Sequence, residues 1–363
     1  MAPNKVLVVG ASGVVGLHAL RHFASRTEFE VVGLARRPVP VDGAELVAVD
    51  LADREATAAA VAGIAGITHV VYAALFEKPG LVPGWYEHDQ MQRNLDMFVH
   101  LLDSVLAQGT LQHITLLQGA KAYGGHVEPM RVPGVERAPR HPHENFYWLQ
   151  EDHMLAAQQG ASWVFTILRP QIIFGEAFGS NMNAIPAYGV YAAVLRHDGE
   201  PLHYPGEGSF VTEVVDADLL ARVIGWAATA DAARDETFNV TNGDVFVLEN
   251  LWSAIADAFG MEVGDKRSTS LADEMPKRQD TWAALVERFG LRSPVDLERF
   301  VGQSFMYADL ISGLGRPAGT QPSLLSTIKI RQAGFADCVD TELMFRRLIA
   351  LFQDQHHLPP RVW

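Results

Sequence analysis

Short runs of apolar, mostly β-branched residues alternate with longer alanine- and leucine-rich segments through the first half of the chain. Most of these runs lack alternating polar positions, which is typical of strands covered by helices on both faces. They predict six strands, at Lys5–Val9, Phe29–Ala35, Ala44–Val49, His69–Ala73, His113–Gln118 and Trp163–Arg169. Because strands alternate with helical segments, we expect an α/β fold with a doubly wound parallel sheet.

Helical spacing of apolar residues marks the segments between these strands, and Ala52–Ala62 and Met91–Ala107 are predicted crossover helices. After about Phe174 the pattern changes to Gly, Pro, Met and aromatic residues mixed with helical stretches such as Leu251–Phe259 and Trp282–Phe289. We therefore predict a sheet domain and a smaller, mostly helical substrate or lid region. The expected ranges are 1–175 for the sheet domain, with 210–245 returning to it, and 176–209 and 246–363 for the second region.

Composition and charge narrow the class of partner. The 43 acidic and 29 basic residues give a formal charge of -14, which repels nucleic acid and anionic lipid, so a small-molecule partner is expected. The single cysteine, Cys338, cannot form an intrachain disulfide, which fits a reducing cytoplasm. The first apolar run starts at Val6, and no apolar stretch reaches the length of a membrane span, so we expect neither a signal peptide nor a membrane segment.

A glycine-rich segment follows the first predicted strand and precedes the first helix, with the sequence Gly10-Ala11-Ser12-Gly13-Val14-Val15-Gly16. Glycines at this position let the backbone approach a pyrophosphate, and the helix N-terminus offers N–H groups and a favourable dipole. A plain glycine-rich turn is the alternative, but the strand before it and the helix after it favour a dinucleotide site in a Rossmann fold. The expected cofactor contacts are Gly10, Ser12, Gly13, Val14, Val15 and Gly16.

The end of the second predicted strand carries Arg36-Arg37, where NAD-binding domains place an acidic residue. Two guanidinium groups can bind a 2′-phosphate through charge-assisted hydrogen bonds, so we predict NADPH as the cofactor. A solvated basic turn before Pro38 is the alternative. Further cofactor contacts are expected at the ends of the third and fourth strands, from Asp50, Leu51, Ala73 and Ala74. Asp50 can equally cap the following helix, as can Asp53.

Two motifs in the middle of the chain carry a family resemblance. The Tyr-x-x-x-Lys signature of many short-chain reductases is missing, because Glu151 stands four residues after Tyr147. However, Leu117-Gln118-Gly119-Ala120-Lys121-Ala122-Tyr123-Gly124-Gly125 and Asn145-Phe146-Tyr147-Trp148-Leu149-Gln150-Glu151-Asp152 closely resemble two motifs of the progesterone 5β-reductase/iridoid synthase-like family. Further matches follow in the same order, among them Arg169-Pro170, Ile173-Phe174-Gly175, Val190-Tyr191-Ala192-Ala193 and Phe238-Asn239-Val240-Thr241-Asn242-Gly243-Asp244. The resemblance fades toward the C-terminus.

This resemblance implies reduction of a carbon–carbon double bond conjugated to a carbonyl, with hydride passing from NADPH to the β-carbon. Tyr147 would stabilise the developing enolate oxygen, and Lys121 would hold the nicotinamide ribose and favour a more acidic phenol. Gln118, Tyr147 and Ile173 are expected beside the cofactor. The α-carbon proton can come from water or from Tyr147, and the sequence leaves both sources open.

Plainer interpretations stand beside these roles. Tyr147 can be a packing residue between Phe146 and Trp148, and Lys121 a surface charge. The histidines of this part of the chain are interpreted as loop residues rather than metal ligands, because no His-Glu-x-x-His helix or cysteine set accompanies them. These histidines are His126, His141, His143 and His153.

The chain departs from the family pattern after the fourth strand. Plant members typically place a tryptophan near the cofactor there, whereas this chain has Leu75 followed by Phe76, and then an insertion, Glu77–Tyr86. Substrate size and orientation therefore stay open. The Pro- and Gly-rich stretch from Gly124 to Pro142 predicts a long loop. The substrate pocket is expected to draw on Phe76, Met182, Tyr188, Phe305 and Phe345, all of which can also be core residues.

Three other functions share the same fold. Reduction of an aldehyde or ketone carbonyl would use the same cofactor, tyrosine and lysine, and only the placement of the substrate would differ. A redox-sensing regulator would bind NADP(H) without turning it over. An epimerase would need a tightly held NAD, which Arg36-Arg37 disfavours. A homodimer also remains possible.

Overall fold

The computed structural model describes residues 4–316 and 321–363. Strands are numbered along the chain as β1 Asn4–Val9, β2 Phe29–Ala35, β3 Ala44–Ala48, β4 His69–Tyr72, β5 His113–Leu117, β6 Val164–Pro170, β7 Ile172–Phe174, β8 Val211–Thr212, β9 Val214–Asp216, β10 Glu236–Val240 and β11 Phe246–Val247. The first six correspond to the predicted strands, and each bound lies within one residue of its prediction.

Helices are numbered in the same way, and short 3-10 turns lie between several of them. They are α1 Val14–Ala24, α2 Arg54–Ala62, α3 His88–Leu106, α4 Phe146–Gln158, α5 Ala184–His197, α6 Ala217–Ala227, α7 Leu248–Ala258, α8 Leu271–Glu274, α9 Gln279–Phe289, α10 Leu297–Val301, α11 Ser304–Ile311, α12 Ile328–Gln332 and α13 Thr341–Asp354. Among the described residues, no helix is both long and apolar enough to cross a membrane.

Seven parallel strands form the main sheet, in the order β10-β6-β5-β4-β1-β2-β3. The predicted fold class, a doubly wound α/β sheet of the Rossmann type, is confirmed. Burial explains why the strands could be predicted: Val6 to Val9 of β1 are fully buried, so every position there selects an apolar side chain. Helix α3 packs on the sheet, and the rings of Phe98 and Tyr72 meet edge to face at 4.9 Å.

The order of the strands reverses between β1 and β4, because the chain fills one side of β1 with β2 and β3 and the other with β4, β5 and β6. In sheets of this kind, ligands bind at the carboxyl ends of the strands that flank the reversal. Gly10 follows β1 and Ala73 follows β4, so these two residues lie at that point. The candidate site is therefore expected at this edge of the sheet.

The chain divides into two compact units. The first unit contains the seven-stranded sheet and consists of Met1–Gln171, Ala217–Val240 and Leu325–Asp337. The second unit consists of Ile172–Asp216, Thr241–Leu324 and Cys338–Trp363; it is mostly helical, with the short strand pairs β7–β9 and β8–β11.

The second unit has its own aromatic core. The Tyr188 ring packs edge to face on Trp252, and its hydroxyl hydrogen-bonds the Ser312 hydroxyl at 2.8 Å. Phe345 packs against Phe174 and is fully buried. Of the expected pocket residues, Tyr188 and Phe345 are therefore core residues of this unit, where their burial and contacts serve packing.

Candidate active site

The glycine loop brings three segments of backbone close together. Gly10 has φ of +83°, and a Cβ atom built there would come within 2.8 Å of the Ala73 carbonyl group and of the Ala74 Cα. A Cβ atom on Gly16 would collide with the carbonyl group of Gly10. Both positions therefore need glycine, the first for its conformation and both for close approach. The end of β1, the end of β4 and the start of α1 are brought together at this point.

The start of α1 lacks a side-chain cap, because its N-cap residue is Gly13. Ser12, Val14 and Val15 lie around this turn with partly exposed side chains. The first N–H groups of a helix lack intrahelical partners, and together with the helix dipole they favour an anion. The residues of the loop therefore fit the diphosphate of a dinucleotide.

Arg36 and Arg37 follow β2 and are exposed to solvent. Within residues 4–316 and 321–363, neither guanidinium forms an ion pair, so both charges are available to an anionic ligand. Asp50 is exposed after β3, and its carboxylate accepts a hydrogen bond from the Ala52 N–H. The side chain of the next residue, Leu51, is buried. Asp53, not Asp50, is the N-cap of α2, and it accepts from the Ala56 N–H at 2.9 Å.

Tyr147 lies in the first turn of α4 and reaches back to the end of β5. Its backbone N–H donates to the Asn145 side-chain oxygen at 3.0 Å, so Asn145 caps the helix through the residue that bears the phenol. The phenolic oxygen lies over Gly119, where a Cβ atom would come within 3.1 Å of it. Gly119 is two residues before Lys121, so both predicted catalytic residues belong to the same edge of the sheet.

Lys121 lies in a short 3-10 turn after β5, Ala120–Tyr123. Its ammonium nitrogen is 3.2 Å from the centroid of the Trp85 ring and 4.0 Å from a carboxylate oxygen of Glu77. Burial lowers the pKa of Lys121, and the Glu77 carboxylate opposes this change. Lys121 is thus not an ordinary surface charge, and its protonation can respond near neutral pH.

Glu151, at the position where the common signature has lysine, belongs to a polar network behind Tyr147. Its carboxylate accepts from the Gln118 side-chain amide at 2.7 Å and pairs with Arg140 at 2.8 Å. The buried Arg169 donates to the Gln118 oxygen at 2.9 Å and lies 3.7 Å from Glu151. The Gln118 side chain is therefore bound by the protein itself, and a cofactor contact by Gln118 stays a prediction. A lysine partner for Tyr147 would therefore have to come from another part of the chain, and Lys121 lies two residues after Gly119.

The segment from Gly124 to Asn145 contains no helix or strand, apart from an isolated bridge at Gly134, and all of its residues are described. Its histidines are close together: the rings of His126 and His143 are 4.9 Å apart, and His141 and His143 hydrogen-bond at 2.8 Å. In the described part of the chain, no set of three or more His, Cys, Asp or Glu residues is arranged to hold a metal ion.

The other residues that were predicted to contact the cofactor lie in different parts of the chain. Ala73 and Ala74 lie directly against the glycine loop. Ile173 lies in β7 of the second unit. Sequence reasoning missed Glu77 and Trp85 as neighbours of Lys121. The available signal was their place in a Pro- and Gly-rich insertion that directly follows a strand end, where ligand sites of such sheets form.

Comparison with known proteins places this geometry in a family context. Residues 6–241 match the model of the NAD dependent epimerase/dehydratase family. The chain is 31% identical to an (S)-8-oxocitronellyl enol synthase of Antirrhinum majus, and the match covers 97% of this chain and 92% of the relative. It is also 31% identical to a 3-oxo-Delta(4,5)-steroid 5-beta-reductase of Arabidopsis thaliana, over 85% of this chain and 82% of the relative.

Solved structures share the fold at much lower identity. A UDP-glucose 4-epimerase of Thermus thermophilus, solved as a complex with NAD, superposes with a TM-score of 0.66 at 19% identity, covering 96% of this chain and 99% of that chain. Another UDP-glucose 4-epimerase superposes with a TM-score of 0.68 at 15% identity, covering 97% and 98%. At such identities the likeness concerns the fold alone.

Proposed function

Because this chain belongs to the NAD dependent epimerase/dehydratase family and, within it, to the progesterone 5β-reductase/iridoid synthase-like group, we propose that it is an NADPH-dependent reductase of carbon–carbon double bonds conjugated to a carbonyl. Its relatives are named for an enol synthase and a steroid 5-beta-reductase. The proposed substrate class is accordingly enals and enones, with the size of the substrate left open between small cyclic compounds and steroids.

One observation carries the proposal. The Tyr147 hydroxyl lies over Gly119, two residues before Lys121, at the carboxyl edge of the parallel sheet that also bears the glycine loop. A phenol and an ammonium group at this edge are suited to a substrate whose oxygen gains negative charge during the reaction.

The bound nicotinamide supplies the hydride. The chain supplies a hydrogen-bond donor, since the Tyr147 hydroxyl donates to the carbonyl oxygen as charge builds there, which lowers the barrier. The Lys121 ammonium lowers the pKa of a neighbouring phenol by its charge and can donate to a ribose hydroxyl. Asn145 fixes the first turn of α4, and with it the position of the phenol.

The preference for NADPH over NADH rests on Arg36 and Arg37. Both are exposed directly after β2, where the ribose hydroxyls of a dinucleotide lie in this fold. With no carboxylate among the described residues paired to either one, a 2′-phosphate would be their partner. The glycine loop accepts either dinucleotide, so these two arginines are the basis for the choice.

The test is NADPH consumption with 2-cyclohexenone, a linear unsaturated dialdehyde and a Δ4-3-ketosteroid, followed by identification of the product. We expect the saturated carbonyl compound from at least one substrate. Tyr147→Phe should lower kcat about a hundredfold, in the range of losing one hydrogen-bond donor to a developing oxyanion. Tyr72→Phe is the matched control, because its hydroxyl is buried in β4 and has no hydrogen-bond partner among the described residues.

Two results would contradict the proposal. An allylic alcohol as product would show hydride transfer to the carbonyl carbon, and the chain would then be a 1,2-carbonyl reductase. Tight NADPH binding without oxidation across enals, enones and ketones would indicate a sensor instead.

A further inference from the structure

The insertion after β4 brings an acid and an aromatic ring to Lys121. Glu77 and Trp85, here called the lysine clamp, belong to one short segment and contact the same ammonium group. The Glu77 oxygen is 4.0 Å from the Lys121 nitrogen, and the Trp85 centroid is 3.2 Å from it. A carboxylate and the face of an indole ring both favour a cation over a neutral amine.

Glu77 is held in place by helix α3. Its side chain is only 3% exposed, and its second oxygen accepts from the Gln90 amide nitrogen at 2.8 Å. The amide oxygen of Gln90 in turn accepts from the Lys78 N–H at 2.8 Å. A Cβ atom on Gly84 would collide with that amide oxygen, so the glycine makes room for Gln90.

Phe76, the residue before Glu77, is also hydrogen-bonded to α3. The Asn94 side chain accepts from the Phe76 N–H at 2.8 Å and donates to the Phe76 carbonyl at 2.9 Å. Asn94 is fully buried. Because both neighbours of Glu77 have their backbone held by α3 side chains, the carboxylate has little freedom to turn away from Lys121.

Other titratable groups near Lys121 come from the loop before α4 and from α4 itself. His126 and His143 are the loop groups, with His141 behind them, and Tyr147 of α4 has its hydroxyl over Gly119, two residues before Lys121. Burial lowers the pKa of His126 to about 4 and also lowers the pKa of His143, so these two are neutral at pH 7. Among the described residues, Glu77 is the acidic group that acts on Lys121; burial raises the pKa of Glu77, and the Lys121 charge opposes that change.

We propose that Glu77 and Trp85 are positioning residues that keep Lys121 in its ammonium form beside Tyr147. This inference rests on the proposed function for its catalytic consequence. Burial alone would favour the neutral amine, which neither lowers the pKa of a phenol nor carries three donors. The clamp favours the cation against the effect of burial and fixes its position, so the pH at which the enzyme loses activity on the alkaline side should be set by this segment.

The direct test measures the titration of Lys121. The chain has six lysines, so the side-chain nitrogen signals of a ¹⁵N-lysine-labelled protein can be resolved, and Lys121 is assigned by comparison with Lys121→Arg. In Glu77→Gln we expect the Lys121 titration midpoint to move to lower pH by about one unit, as for loss of a nearby opposite charge. Trp85→Leu should move it in the same direction by less, with Trp85→Phe in between.

Glu87→Gln is the matched control. It removes a carboxylate from the end of the same segment, where Glu87 pairs with Lys78 at the surface, and it should leave the Lys121 midpoint unchanged. If Glu77→Gln does not fold, the two Trp85 variants and Glu77→Asp test the same proposal. Glu77→Asp keeps the carboxylate, so its Lys121 titration midpoint should lie close to that of the wild type. An unchanged Lys121 midpoint in Glu77→Gln, or in Trp85→Leu if the former does not fold, overturns the inference.

The pH dependence of kcat/KM tests whether the lysine clamp affects catalysis. With a substrate that the wild-type chain reduces, the alkaline fall of kcat/KM should move to lower pH in Glu77→Gln by the same amount as the Lys121 midpoint, whereas a merely structural role would lower activity equally at all pH values. If the wild-type chain reduces no conjugated substrate, the proposed function fails, while the titration still supports or overturns the clamp by itself.

Discussion

The phenolic oxygen of Tyr147 lies over Gly119, so close that a side chain there would have to displace it. A Cβ atom on Gly119 would come within 3.1 Å of that oxygen and 3.5 Å of the Pro170 carbonyl oxygen. Gly119 itself has extended backbone, with φ of −177°, which any residue adopts. Glycine therefore matters here for the close approach of the phenol and not for its backbone conformation.

Gly119→Ala should displace the Tyr147 hydroxyl by a few tenths of an ångström while leaving the backbone unstrained. Because misplacement of a catalytic group by 1 Å can cost about a hundredfold, we expect kcat to fall about tenfold with little change in stability. Steady-state kinetics and thermal unfolding of the same samples measure both. Gly208→Ala is the control, since the nearest atom to a Cβ there is 3.7 Å away. Unchanged kcat in Gly119→Ala would mean that the hydroxyl position is not critical.

The cap of α4 offers a second way to move the phenol. Asn145→Ala removes the acceptor for the Tyr147 N–H, and loss of an N-cap side chain typically costs about 1 kcal/mol of stability. Because the first turn carries Tyr147, we also expect kcat to fall several-fold. Urea unfolding and steady-state kinetics give the two effects separately.

Asp53→Ala is the matched control for the cap. Asp53 caps α2 by the same kind of hydrogen bond, to the Ala56 N–H at 2.9 Å, but α2 bears no predicted catalytic residue. It should cost about the same stability and leave kcat unchanged. Equal loss of kcat in both variants would show that the Asn145 effect is only one of stability.

The sequence was informative where burial is complete. Six of the seven strands of the main sheet were predicted to within one residue, because most of their positions are apolar and most of those are buried. Helix α3 begins at His88 rather than Met91, since its first turn is polar and carries no apolar period. The two- and three-residue strands of the second unit, such as Val211–Thr212, are too short to show any period.

Motifs in the sequence pointed to part of the candidate site, and the roles of those residues stay predictions. Glycine spacing indicated the loop, and the likeness of two segments to a known family indicated Lys121 and Tyr147. The insertion that contains Glu77 and Trp85 was visible in the sequence, but their contact with Lys121 was not, because Lys121 is more than thirty positions away. Nothing in the sequence distinguishes a buried acid from the exposed acids near it, such as Asp89.

The free energy of unfolding should decrease as the pH falls, in part because of His113. Burial lowers its pKa to about 3, below the usual 6.5, while the ring hydrogen-bonds Thr166 at 2.9 Å. Below pH 6.5 the unfolded chain therefore binds a proton that the folded chain does not, so this contribution to stability is present above pH 6.5 and is lost as the pH falls. Between pH 7 and pH 5 the loss from His113 should be about 2 kcal/mol.

Urea unfolding at the two pH values measures this loss. His113→Gln should lose about 2 kcal/mol less than the wild type between pH 7 and pH 5, whatever its absolute stability. His88→Gln, at an exposed position of α3, should behave as the wild type. An identical pH dependence in His113→Gln would show that His113 takes up its proton in the folded state as well.

Replacing both Arg36 and Arg37 by alanine tests the cofactor choice. Each charge-assisted hydrogen bond to a phosphate contributes about 1.5–3 kcal/mol, so KM for NADPH should rise roughly tenfold to a hundredfold while KM for NADH stays the same. Arg54→Ala removes another exposed arginine of the first unit, which pairs with Asp103 at 3.4 Å, and should change neither value. Because only the 2′-phosphate distinguishes the two dinucleotides, an equal rise for NADPH and NADH would place the arginines elsewhere on the cofactor, and no rise would remove the basis for preferring NADPH.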